Sequence, residues 1–224
     1  VVRAGRFFFA LFSLCRFSVS LGLLERPLVV GLLWGLFVGN LEQSLFVAIF
    51  YELLWLDFIP VGTFIPPHMT AACFTALALS SRFGLDSLPM MFLPLLAGLP
   101  MAWLGARLER IMRDRLNRSY GSVLQWVRKP LDVHVPGRLL WGSLASKMLA
   151  SWGFFLAGCL VLSLILRYTM YEFAPFLASL KLTWPMLLAC SSVGGMLALR
   201  LRSLYVAVAG GAVALGFLRV VGMF

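Results

Sequence analysis

Long apolar runs alternate along the whole chain with short clusters of charged and turn-forming residues. Runs at 7–24, 28–39, 45–59, 64–79 and 88–106 occupy the N-terminal half, and runs at 139–166, 173–199 and 204–224 the C-terminal half. A helix needs about 20 apolar residues to cross a hydrocarbon core of roughly 30 Å. The pattern therefore predicts an all-α, polytopic transmembrane helical protein with roughly six to eight crossings. Two runs, 28–39 and 45–59, are too short to cross as straight helices. Bounded by Glu25-Arg26-Pro27, Gly39-Asn40 and Pro60-Val61-Gly62, they predict re-entrant or discontinuous helices in the N-terminal half, whose free backbone groups face protein or water instead of lipid. A substrate site is accordingly expected within residues 25–80. Tilted, imperfectly delimited ordinary spans are the alternative. The first run follows Arg3 and Arg6, as in a signal peptide, but continues past Arg16 to Leu24, which favours a retained membrane segment.

Composition closes off other classes. With 61% hydrophobic and 12% charged residues and a mean hydropathy of +0.94, there is too little polar surface to clothe a soluble enzyme. The net charge of +10 is concentrated at 107–138, where Arg107, Arg110, Arg113, Arg115, Arg118, Arg128, Lys129 and Arg138 stand against Glu109, Asp114 and Asp132. The positive-inside rule puts this segment in the cytoplasm. Its charges recur at helical spacing beside Leu108, Ile111 and Met112, which predicts an amphipathic helix continuing from the span along the lipid surface. Topology and lipid contact account for the charge, and with only Tyr120 and Trp126 interleaved, no nucleic acid is expected as a partner. The chain reads as a single membrane domain, 1–224, with N-terminal helices at 7–106, a basic cytoplasmic segment at 107–138 and C-terminal helices at 139–224. Cys15, Cys73, Cys159 and Cys190 are isolated in apolar stretches, so they are expected to pack, not to form disulfides or hold a metal. No cofactor is implied.

The chemistry-bearing positions are few. Gly31, Gly35 and Gly39 are spaced four apart, which predicts a helical face that another helix approaches closely. Glu52 and Asp57 are carboxylates inside an apolar run. A lone ionised carboxylate in hydrocarbon costs several kcal/mol, so such a residue usually faces a bundle interior or a cavity where it binds something. Glu52 is expected to bind substrate, or else to hold helices together through Arg26 or Arg16. Asp57, beside the Pro60 turn, reads as a helix-end residue or a second acceptor. In Gly62-Thr63-Phe64-Ile65-Pro66-Pro67-His68-Met69-Thr70, Pro67 is expected to open a helix with His68 and Thr70 in its first turn, the amides there being free for a ligand oxygen; a plain loop is the alternative. No Walker loop, nucleophile elbow or metal-ligand motif occurs, so catalysis by this chain alone is not expected.

Arg26-Pro27-Leu28, Gly39-Asn40, Leu53 with Glu52, Val61-Gly62 and Pro67 occur in an order and spacing that resembles the C component of enzyme II in the mannose/fructose/sorbose family of the phosphotransferase system. That family runs from Arg-Pro-Leu through Gly-Asp to a Leu-Glu helix and an Ile-Gly turn ending in Pro-Asp. The match covers about residues 25–80. It implies a sugar-translocating subunit of the bacterial inner membrane, not catalytic alone, in a hetero-oligomer with an enzyme II D membrane component. Cytoplasmic enzyme II A and B components would phosphorylate a hexose-type sugar. Glu52 falls at the family's intramembrane glutamate, which implies contact with sugar hydroxyls, and Asn40, Asp57, His68 and Thr70 complete the implied substrate-binding set. Asn40, Asp57, Pro60 and His68 depart from the family's acid, glycine, polar residue and acid. A non-transporting scaffold of the same fold and an unrelated small-molecule transporter therefore stand as alternatives.

Overall fold

The computed structural model describes residues 26–56, 65–128, 135–199 and 202–220, and these are helical throughout apart from their connections. Seven helices follow in order among them: α1 (Pro27–Val38), α2 (Leu41–Leu54), α3 (Met69–Phe83), α4 (Leu88–Arg128), α5 (Val135–Ser179), α6 (Trp184–Ala198) and α7 (Arg202–Val220). The first membrane run and Asp57 lie outside the described residues.

The three short helices form the core. α1 and α2 pair as a hairpin whose tip is Gly39, at φ +80°, a left-handed conformation that glycine adopts without strain. Two members of the glycine ladder make the pairing close. A methyl group on Gly31 would collide with Ala48 and lie 2.7 Å from the Ser44 carbonyl oxygen, and one on Gly35 would lie 2.8 Å from Leu41. α3 packs against α1, α2, α4 and α5 and is buried from Thr70 to Ser80. Its small residues, Ala71, Ala72, Cys73, Thr75, Ala76 and Ala78, let four neighbours approach its backbone. Phe74 fills the remaining space, meeting the rings of Trp34 and Phe155 edge-on.

Two helices, Leu88–Arg118 and Gly137–Ser179, are long and apolar enough to cross a membrane. α4 runs antiparallel to α3, with Gly105 against His68 at one end and Gly98 against Tyr51 and Ala72 in the middle. It continues unbroken past Arg107 despite Pro94 and Pro100; neighbouring helices offset the lost backbone bonds in such helices. α5 packs along α4, where Gly158 receives Met101. α6 runs parallel to α2: Trp184 stacks on Phe46 at 5.0 Å, the Ser191 hydroxyl donates to the Phe50 carbonyl, and Gly195 lies against the Leu53 carbonyl.

Several expectations are corrected. The apolar run 173–199 is not one span: its first turns belong to α5, which passes through Pro175, and the chain breaks only at residues 180–183. Pro185, preceded by the N-cap Thr183, then starts α6; proline in a first turn lacks only an amide that has no helical partner there. Arg167, between the apolar runs 139–166 and 173–199, lies not in a connection but within α5, where it is exposed. Cys190 is exposed, whereas Cys73 and Cys159 are buried as packing residues.

Candidate functional site

Glu52 is in the last turn of α2 and Arg26 is the N-cap of α1. The hairpin brings them together: the Arg26 guanidinium donates to Glu52 Oε1 at 3.1 Å, and the Leu28 amide donates to Oε2 at 3.4 Å. Leu28 is in the first turn of α1, where amides have no helical partner and the helix dipole favours an anion. Glu52 thus closes the open end of the hairpin, opposite the Gly39 tip. Its side chain is 14% exposed and that of Arg26 is 43% exposed, so the pair is reachable from outside the core. A carboxylate accepts hydrogen bonds and a guanidinium donates them; side by side, they offer both functions to a neutral polyol.

His68 and Thr70 are buried at the adjacent end of α3. The helix starts at Met69 with His68 as its N-cap, because Pro66-Pro67 hold the preceding backbone out of the helical region. His68 Nδ1 lies 2.8 Å from Thr70 Oγ1 and accepts from the Ala71 amide at 3.2 Å, while the His68 amide donates to Ala102 of α4 at 2.9 Å. The Ala71 and Ala72 amides both reach the His68 carbonyl. The expectation that Pro67 opens the helix with His68 in its first turn is therefore corrected: the helix starts at Met69, and the histidine caps it and takes the Ala71 amide.

Asn40 is at the far end of the molecule's core. Thr70 and Ser80 are ten residues apart on α3, about 15 Å along its axis, and Asn40 sits beside the Ser80 end. Its Oδ1 accepts from the Gln43 amide at 3.4 Å and its Nδ2 donates to Gln43 Oε1 at 2.7 Å, capping α2. There it lines a cavity of about 230 Å³ with Gln43, Ser44, Ser80, Ser81 and Asp86. The structure thus groups Glu52 with Arg26, joins His68 to Thr70 close by, and separates Asn40 from both pairs. Gln43, Ser80 and Ser81 were not singled out from the sequence; their signal is only that polar residues flank both glycine turns.

Residues 7–120, just over half of the chain, match the family of the sorbose-specific IIC component of the phosphotransferase system. The chain belongs to this family. No curated protein and no solved structure matches it significantly. As a IIC component it is a membrane protein of sugar transport, a permease component that associates with other components of its phosphotransferase system. Arg26, Asn40, Glu52, His68 and Thr70 all fall within the matched segment.

Proposed function

We propose that this IIC component carries a neutral hexose-type sugar across the bacterial inner membrane, with Glu52 and Arg26 making the polar contacts at the cytoplasmic side of the path. In this reading cytoplasmic A and B components phosphorylate the sugar, and a D component completes the membrane complex. The chain itself is not catalytic. The observation that carries the site is the Arg26–Glu52 pair, a half-exposed donor beside a largely buried acceptor at one end of the helical core. Segment 107–138 faces the cytoplasm by its charge. His68 packs against Gly105, two residues before Arg107, so the Glu52 end of the core lies near that side. His68 and Thr70 serve as framework, setting the end of α3 against α4, and Asp57 lies three residues beyond α2 as a further acceptor.

The test is uptake and phosphorylation of a panel of hexoses in membranes carrying the chain with its partner components. Glu52→Gln keeps the shape and removes the charge that strengthens the hydrogen bonds; uptake is expected to fall about tenfold or more. Full activity of Glu52→Gln would remove Glu52 from the site. Absence of sugar-dependent phosphoryl transfer by the wild type with every hexose would leave the scaffold reading in its place.

A further inference from the structure

The cavity at the hairpin tip has features the Glu52 site does not explain. α1, α2 and α3 have 12, 14 and 15 residues, about 18, 21 and 22 Å at 1.5 Å per residue, each short of a hydrocarbon core of roughly 30 Å. Two left-handed glycine turns, Gly39 at φ +80° and Gly84 at φ +59°, end α1 and α3 side by side and bound the cavity. Non-helical backbone inside a membrane persists where it is buried in protein or lines a polar cavity, and broken helices of this kind line binding sites in transporters.

The lining chemistry is specific. Among the described residues, Asn40, Gln43, Ser44, Ser80 and Ser81 supply neutral donors and acceptors, Asp86 is the one carboxylate, and no Lys or Arg lines the wall. A phosphate ester would meet a carboxylate and no cation among these residues, whereas sugar hydroxyls, which donate and accept, match the set. The volume of about 230 Å³ is below the roughly 300–1,000 Å³ of drug-sized pockets and suits one monosaccharide. Ser80 points to a ligand independently. Serines and threonines within helices commonly bond back to the carbonyl four residues earlier, as Thr75 does to Ala71 and Ser192 to Leu188. Ser80 does not: its hydroxyl is buried without a hydrogen-bond partner among the described residues, although the residue is only 7% exposed. A buried, unmet hydroxyl is costly unless something else satisfies it.

We infer that the cavity between the Gly39 and Gly84 turns is an entry subsite for an unphosphorylated monosaccharide, in which Ser80, Asn40 and Gln43 bond its hydroxyls before it reaches Glu52. This rests on the permease reading. Met91, which lines the cavity, is sixteen residues before Arg107 on α4, about 24 Å deeper by helix rise. With 107–138 in the cytoplasm, the cavity lies near the external face.

Two measurements test the subsite in cells carrying the chain with its partner components. Ser80→Ala removes one sugar contact and one unmet polar group, so the KM for uptake is expected to rise about five- to tenfold while thermal stability is kept or increased. An unchanged KM overturns the subsite. In a Cys190→Ser background without phosphoryl donor, Ser81→Cys is expected to react with a membrane-impermeant thiol reagent added outside. The transported sugar should slow that reaction at least severalfold, and its 6-phosphate should not. Loss of protection, or equal protection by the phosphate, overturns the subsite while wild-type uptake leaves the permease reading standing. A wild type that takes up no hexose fails the permease reading itself, and the subsite with it.

Discussion

Glu52 has two partners that act at once, the Arg26 guanidinium and the first turn of α1. Removing Arg26 alone leaves a partly buried carboxylate without its cation, a change that costs up to about 3–5 kcal/mol where a pair is fully buried. With Arg26 43% exposed, a smaller loss is expected for Arg26→Met, about 1–2 kcal/mol, and the double variant Arg26→Met with Glu52→Leu should recover part of it. Unfolding in detergent, compared across the cycle, reads the coupling. His68 is a second residue whose role rests on a bond. His68→Ala should cost about 1 kcal/mol of stability through the lost cap of α3, and His68→Asn should restore most of that because asparagine caps well. If the asparagine variant is as unstable as the alanine one, capping is not what His68 does.

At the scale of elements, the hairpin and its neighbours depend on positions without side chains. Gly31→Leu would drive a branched side chain into Ala48 and the Ser44 backbone, and is expected to destabilise by about 2–3 kcal/mol or to abolish membrane accumulation. Gly195→Val should uncouple α6 from α2, since Gly195 lies against the Leu53 carbonyl. Its signature is a cysteine pair, one on each helix near Phe46 and Trp184, that cross-links in the parent and not in the variant. The glycine ladder was legible as a close-packing face because its period matches a helix. The end of α5 was not, because Arg167 and Glu172 interrupt the apolar run at 167–172, while the helix continues through both and through Pro175, whose missing amide neighbouring groups in a packed membrane helix can offset.

At the scale of the whole molecule, orientation follows from charge. A reporter fused after Tyr120 is expected to face the cytoplasm, and Lys181, in the break between α5 and α6, should react with an impermeant amine reagent only from outside. A reporter after Tyr120 found outside would invert the topology, and with it the assignment of Glu52 to the inner and Asn40 to the outer part of the path.

Periodicity, length of apolar runs and the placement of arginines determined the class, an all-α membrane protein with short helices in its N-terminal half, because these follow from transfer energies and helix rise that each segment carries alone. The out-of-place Glu52 was visible for the same reason: its cost in an apolar run does not depend on fold. Tertiary structure alone decided that Arg26 is its partner, that His68 spends its ring on its own helix, and that Asn40 faces Ser80 instead of Glu52. Those are contacts between residues far apart in sequence, set by which ends of α1, α2 and α3 lie together, and no local pattern encodes that choice.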